Sequence, residues 1–287
     1  MDGVPSFLRR LGGWLAGSSA PPPAAPGRRE SYAYLGNGRA VTLTHRGHQL
    51  MLDATDIGMT PHLALRGEWE RVVEDAVLAL LAPGAAVVEV GANIGYHTLA
   101  MSAAIGAAGR LHAFEPNPRL VPLLSASVAL NGFNDRVTIH PRAAADAPGQ
   151  VALLVHPDHA GSGHLEVAAV GPGYTQRHEI ETVRIDDAVG EGFGPARLMR
   201  LDCEGAEPLA LRGAEALIRR SPDLVLVMEW SVPMMRARAD VAAFATWLEG
   251  LGLNHAWRIE AGGRASVAMA DLPGLPHSEV ILARRPL

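Results

Sequence analysis

Apolar positions follow two different spacings along this chain. Continuous runs, such as AVVEV at 86–90 and LVLVM at 224–228, alternate with stretches in which apolar residues return every three to four positions. The runs predict strands at 86–90, 110–114, 136–140, 198–202, 223–229, 254–259 and 278–284. The periodic stretches predict helices at 94–106, 117–131, 207–220 and 240–251. Strands apolar on both faces belong in a parallel sheet covered by helices on either side. The last two strands are joined by a short polar stretch, 261–277, and read as an antiparallel pair. The expected fold class is therefore α/β and Rossmann-like: a seven-stranded, mostly parallel sheet with an antiparallel last strand.

Five segments fall outside that alternation. Residues 31–53 carry short strands and turns (YAYL, GNG, RAVTLTH, HQLMLD) that predict a small antiparallel meander. Between the meander and the first core strand, EWERVVEDAVLALL at 68–81 places Val72, Val73, Ala76, Val77, Leu80 and Leu81 on one helical stripe. Residues 150–185 hold VALLV, a loop rich in glycine and histidine, and ETVRIDDAV, and read as an inserted hairpin. At the N-terminus, SFLRRLGGWLAG at 6–17 puts Phe7, Leu11, Trp14 and Leu15 on one face. It predicts a short helix that docks on the domain or makes a weak membrane-surface contact, with Gly12 and Gly13 weakening it. The proline-rich SSAPPPAAPGR at 18–28 is a linker. This divides the chain into an N-terminal segment and linker, 1–29, and one domain, 30–287. Within the domain, 30–66 form a β-meander cap, and 67–287 form the core with the insert at 150–185.

Composition narrows the function classes. A formal net charge of −5, with no Lys/Arg cluster longer than a pair, argues against a protein that tracks a phosphate backbone. One cysteine, Cys203, leaves no intramolecular disulfide and fits a reducing cytoplasm. No apolar run reaches the roughly 20 residues of a membrane span, and Arg9 and Arg10 interrupt the short apolar stretch that a signal peptide would need. A cytoplasmic protein with a small-molecule ligand is the expectation.

The candidate chemistry begins at AVVEVGANIGYH, 86–97. A buried strand, a glycine turn and a helix start form a corner suited to a nucleotide-like ligand. Hydride transfer with a dinucleotide and methyl transfer from S-adenosylmethionine both use such a corner. A dinucleotide turn needs a middle glycine so that backbone can close on the pyrophosphate; here Asn93 stands between Gly91 and Gly95. That suits a ligand carrying an ammonium, a carboxylate and a sulfonium, with Glu89 near the positive charge. Glu115, at the tip of the second strand, is placed to accept ribose hydroxyls, with Asn117 opening the next helix. The fourth strand ends in DCEGAEP at 202–208, which brings Asp202, Glu204 and Glu207 to the same mouth. Continued strand geometry points Asp202 and Glu204 to one side, where either could serve as base or positioning acceptor. Glu207 reads as a helix-start residue, and Glu229 as a rim residue. His156, His159 and His164 cluster within the insert. His164 is a candidate acceptor-site base, and no ligand set for a metal stands out.

VVEVGANIGYHTLAMSAAIGAAGRLHAFEPNP, VRIDDAV, LMRLDCEGAEPLALRGA and VMEW, with the upstream TDIGMTPHLALRGEWE, resemble the FkbM-type family of S-adenosylmethionine-dependent methyltransferases over roughly residues 54–230. The resemblance implies a class I methyltransferase fold and methyl transfer, typically to an oxygen of a hydroxylated metabolite. By position, Glu89, Gly91, Asn93 and Gly95 would hold the methionyl part and Glu115 the ribose. Asp202 and Glu204 would lie beside the acceptor, and Glu70 would close over the cofactor. The expected activity is O-methylation of a hydroxylated small molecule, sugar or lipid/glycan precursor. An N- or carboxyl-methyltransferase, a non-catalytic binder of the cofactor and an NAD oxidoreductase are the alternatives.

Overall fold

The computed structural model describes residues 31–166 and 173–287. The amphipathic segment 6–17 and the linker 18–28 lie outside the described residues, as does the middle of the insert. Residues 32–287 form one compact unit.

The predicted meander is present: β1 (Ala33–Gly36), β2 (Arg39–Leu43) and β3 (Gln49–Asp53) pair antiparallel in sequence order. The core follows with β4 (Ala86–Val90), β5 (Arg110–Phe114) and β6 (Val137–His140). The insert contributes β7 (Ala143–Ala144), β8 (Gly149–His156), β9 (His159–Leu165) and β10 (Gln176–Val183). The core then resumes with β11 (Leu198–Leu201), β12 (Val225–Trp230), β13 (His255–Glu260), β14 (Gly263–Val267) and β15 (Ser278–Ala283). Among the described residues the central sheet has the order β14-β13-β15-β12-β11-β4-β5-β6. Neighbours from β12 to β6 are parallel, and β15 runs antiparallel to both β12 and β13. This is the class I methyltransferase arrangement, with an eighth strand added at one edge.

That extra strand corrects the reading of 261–277 as a plain polar connection. β13 turns back through Ala261 and Gly262 into β14, and a 3-10 helix, Met269–Gly274, is pinned where the buried Trp230 indole donates to the Leu272 carbonyl at 2.8 Å. Alternating RASV has strand periodicity, but two residues of turn are too weak a signal to separate a hairpin from a loop.

Both faces of the sheet are packed. One carries Val88, Val90, Met199, Leu201, Leu226 and Met228. The other carries Val87, Leu198, Val225, Val227 and Ile281. Helix Tyr96–Ile105 is buried almost all round, because the sheet lies on one side and the meander's Leu50 and Leu52 on another. Helix Arg71–Ala79 begins later than the predicted 68–81 stripe. Val73 and Val77 are buried, whereas Val72 is exposed and Glu74 takes an inward place beneath the Tyr96 hydroxyl at 3.1 Å. The predicted helix 207–220 is two helices, Glu207–Arg212 and Glu215–Arg220. Gly213 marks the break: a β-carbon there would stand 2.0 Å from the Ala145 carbonyl oxygen, so the insert passes against bare backbone.

The insert is more than a hairpin. β7, β10, β8 and β9 form their own four-stranded sheet, and the glycine- and histidine-rich segment taken as a loop is strand β9. Glycine weakens a strand signal, yet Gly161 gives β9 its close approach to the glycine turn. A β-carbon there would meet the Asn93 amide at 2.5 Å. No helix among the described residues is long and apolar enough to cross a membrane.

Candidate active site

Parallel strands β4, β5, β11 and β12 end at one edge, and the chain leaves β4 toward β5 on one side while β11 returns on the other. A ligand crevice belongs at such a switch point, and a cavity opens there. Gly91 has φ +82°, and a β-carbon would lie 1.8 Å from the Asp202 carbonyl oxygen, so only glycine lets the ends of β4 and β11 touch. Asn93 follows with φ 53°, its side chain accepting from the Ile94 amide at 2.8 Å, and Gly95 (φ +99°) opens helix Tyr96–Ile105. Gly91 and Asn93 line the cavity. Gly95 shapes the turn from behind, where a β-carbon would press on Leu124 at 2.9 Å.

Glu115 ties two loops together at the tip of β5. One carboxylate oxygen accepts from the Asn93 amide and the other from the Asn117 amide, each at 2.8 Å. Burial pushes its pKa up to about 7 despite those bonds. Asn117 lines the cavity, but its side chain is spent on protein: Nδ2 donates to the Ala160 carbonyl of β9 at 2.9 Å, and Oδ1 accepts from the Arg119 amide. Asn117 thus lines the cavity and at the same time ties β9 against the corner. Asp56 grips the same strand through the Ala160 amide at 3.0 Å. His159, Ala160, Gly161, Ser162 and Gly163 of β9 thus wall the cavity.

Glu89 is also corrected. Fully buried on β4, it does not line the cavity; it accepts from the Thr98 hydroxyl at 2.5 Å and faces Arg200 at 3.9 Å. Burial raises its pKa to about 7. A strand end is not a pocket wall when its side chain lies behind the turn.

Arg200 is the residue that pattern reading missed. It sits in the middle of apolar LMRL with only 3% of its surface exposed, and its guanidinium meets Asp202 at 2.9 Å and Glu70 at 3.4 Å. An arginine inside a central strand is itself a signal, because a buried charge must be paired. Glu70 lines the cavity from the loop before helix Arg71–Ala79, with φ 45° and with His97 at 3.4 Å. Burial would raise Glu70, but His97 and Arg200 hold it below its ordinary value. Burial and the Arg200 charge drop His97 to about 4, so the imidazole is neutral. Asp202 lines the cavity, held above the usual carboxylate range by burial and by Glu70 against the pull of Arg200.

β11 stops at Leu201, so Asp202 and Glu204 are not aligned as strand neighbours. Glu204 turns with φ 57°, and Gly205 follows at φ +84° beneath the Met234 backbone. Both carboxylates nonetheless reach the cavity. Burial and then Asp202 push Glu204 up to about 8. Glu207 is buried and accepts from the Cys203 amide at 2.9 Å, as a helix-start residue should; the Cys203 thiol is pushed well above its ordinary value by burial and by Glu207. Glu229 lines the cavity as expected of a rim residue. His164 is displaced from its expected role. It lies on β9 outside the cavity wall, its ring 4.5 Å from that of Tyr174.

Charge tests which ligand fits. The cavity wall holds six carboxylates (Asp56, Glu70, Glu115, Asp202, Glu204 and Glu229) and one guanidinium, Arg200. Such a site is short of positive charge, which the sulfonium and ammonium of S-adenosylmethionine supply and a pyrophosphate would worsen. With the cofactor bound, Glu115 at the β5 tip would face its ribose, and Glu70 and Asp202 would flank its cationic part. The expectation that the turn holds the methionyl part is corrected for its backbone donors: the amides of Gly91, Ala92, Asn93, Ile94 and Gly95 are all given to protein acceptors.

The model of the methyltransferase FkbM domain matches residues 89–253, more than half of the chain. Among solved structures, the chain is similar to an O-methyltransferase from Bacillus cereus in complex with SAH. That match is 13% identical, covers 80% of this chain and 83% of that one, and has a TM-score of 0.43. It is also similar to a SAM-dependent O-methyltransferase from Thermotoga maritima (10% identity, 86% and 78% covered, TM-score 0.42). A SAM-dependent methyltransferase from Aquifex aeolicus matches at 12% identity, with 74% and 88% covered and a TM-score of 0.42. No curated protein matches the chain. The matched region runs from the strand that carries the glycine turn to the approach of the sixth core strand, and the chain belongs to the FkbM family of S-adenosylmethionine-dependent methyltransferases.

Proposed function

We propose that this methyltransferase acts on oxygen: it methylates a hydroxyl of a small molecule, sugar or lipid/glycan precursor, with Glu204 as the base. The observation that carries the proposal is Glu204 itself. It is a non-glycine residue in a left-handed turn, its carboxylate faces the cavity, and its pKa stands near 8. Backbone strain of about 1–3 kcal/mol persists only where the surroundings enforce it, and it concentrates at functional sites. A base poised near neutral pH is what an alcohol, which must lose its proton during transfer, requires.

Bound S-adenosylmethionine supplies an electrophilic methyl carbon. The acceptor oxygen forms the new O–CH3 bond as its O–H proton passes to the Glu204 carboxylate, and the electron pair of the broken S–CH3 bond stays on sulfur. Asp202 is less suited to take that proton, because Arg200 holds it by a hydrogen bond at 2.9 Å; it positions and balances charge. An acidic wall also disfavours a carboxylate as acceptor.

The test is Glu204→Gln, assayed with trideuteromethyl-labelled cofactor against a panel of hydroxy compounds, with the labelled atom identified by NMR. For the wild type, kcat/KM for the cofactor rises with pH to a plateau, with a midpoint near 8, because the free-enzyme base must be deprotonated. The variant is expected to lose about 100-fold in kcat together with that rising limb. Label on nitrogen or a carboxylate, or an unchanged pH limb in the variant, refutes the proposal.

A further inference from the structure

On one face of the central sheet, Glu89, Arg200 and Val227 stand side by side in register. Two residues further along β12 on that same face is Glu229, and directly across from it on β15 is Glu279. Side chains opposite each other on an antiparallel pair stand about 5 Å apart at Cβ, and like charges in that position repel. The protein has thus placed two glutamates where a sheet normally avoids them.

The Arg200 charge reaches Glu279 without a hydrogen bond to it, and the ion-pair partner of Glu229 is His277. Arg200 is already shared by Asp202, Glu70 and Glu89. The Arg238 guanidinium is spent on the backbone carbonyls of Leu165, Met234 and Glu204. His277 touches only one oxygen of Glu229, at 3.5 Å, from a side chain that is 65% exposed. The other oxygen, Oε2, is buried with no hydrogen-bond partner, in a residue 7% exposed that lines the cavity. Burial and the surrounding carboxylates push Glu229 to about 10 and Glu279 to about 8. A metal ion is a poor match, since no group of three or more His, Cys, Asp or Glu among the described residues is arranged to hold one. An organic cation fits: an ammonium brings several N–H donors to an orphaned acceptor and charge to an acidic wall.

We infer that Glu229, with Glu279 behind it across the β12–β15 pair, forms a subsite for a protonated amino group of the acceptor, so that the hydroxyl compound methylated here is an amino alcohol or amino sugar. The inference rests on the oxygen-directed reading above, and it assigns the end of the cavity two strands from the glycine turn. Glu70 and Asp202 remain for the ammonium of the cofactor.

The experiment uses the full chain, labelled with 13C at glutamate Cδ and saturated with S-adenosylhomocysteine at low ionic strength. It is titrated with ethanolamine and, separately, with its uncharged counterpart ethylene glycol. Both probes are small enough that shape cannot exclude them. The Glu229 carboxyl signal, assigned with Glu229→Gln, is expected to shift saturably with ethanolamine, at a half-saturation about tenfold or more below that of ethylene glycol. Glu279→Gln should erase that advantage. Should Glu229→Gln fail to fold, Glu229→Asp provides the assignment. Equal half-saturation for the two probes, or an ethanolamine shift confined to Glu70, overturns the inference. Either result leaves the position of the methyl label untouched: an O-methyl product with no preference for the amine sinks the subsite alone, and an N-methyl product sinks the oxygen-directed reading alone.

Discussion

Arg200 shows at the scale of one residue what holds the site together. Burial would strip its charge, yet Asp202, Glu89 and Glu70 keep the guanidinium protonated above even its ordinary range. The same contacts keep three carboxylates from repelling one another next to the cofactor corner. Removing one partner of a buried ionic network leaves the other charges uncompensated, at a cost of about 3–5 kcal/mol. Arg200→Met is therefore expected to lose roughly that much stability in urea at pH 7. The loss should shrink toward pH 5, where the abandoned carboxylates take up protons; an equal loss at both values would mean that packing, not charge, explains the residue. A second residue-scale feature is backbone strain. Four non-glycine residues among those described have positive φ, and three of them, Glu70, Asn93 and Glu204, line the same cavity.

At the scale of elements, the insert is the part whose role differs most from a reading of its composition. β9 is a wall of the cofactor cavity, held by Asn117 from the β5 loop, by Asp56 from the segment after the meander, and by the Arg119 guanidinium on the Pro157 carbonyl. The meander, the Rossmann-like core and the insert therefore meet on one strand. Gly161 sets how closely that strand approaches Asn93. Gly161→Ala is expected to weaken S-adenosylhomocysteine binding about tenfold while shifting Tm only slightly, because the atom it meets ends a side chain able to move. Calorimetric titration beside a thermal melt checks this; unchanged affinity would remove β9 from the cofactor site.

Across the whole molecule, carboxylates cluster at one edge of the sheet and give stability a particular pH profile. Glu89 and Glu115 stand near 7, Glu204 and Glu279 near 8, and Glu229 near 10. Each folded value lies above that of the unfolded chain, so the folded state binds more protons. The associated stability is fully present below the unfolded carboxylate range and is lost as pH rises through the folded values. His97 and His140, near 4, act in the opposite direction: they are buried neutral, and stability falls as pH drops below the ordinary histidine range. The five carboxylates outnumber the two histidines, so the ligand-free protein should lose Tm steadily from pH 6 to 9. S-Adenosylmethionine, bringing two positive charges, should flatten that decline. A Tm that is level or rising over this range would show the carboxylates to be discharged by something other than protons.

The core strands, and that most of them run parallel, were legible in the sequence because a strand buried on both faces must be apolar throughout, a local property. The same holds for the glycine corner and for the carboxylates at the strand tips, where Gly91, Asn93, Glu115, Asp202 and Glu204 all proved to converge. Pattern could not show which of those side chains look into the cavity. Glu89 and His164 were misplaced because facing depends on how a strand end meets its neighbours. Arg200 and Glu74 went unread because their partners lie far away in the chain, and β9 because glycine hides a strand whose purpose is close approach. Periodicity encodes burial, a one-body property of each position. Charge pairing and backbone contact are two-body properties, and only the folded arrangement of distant segments decides them.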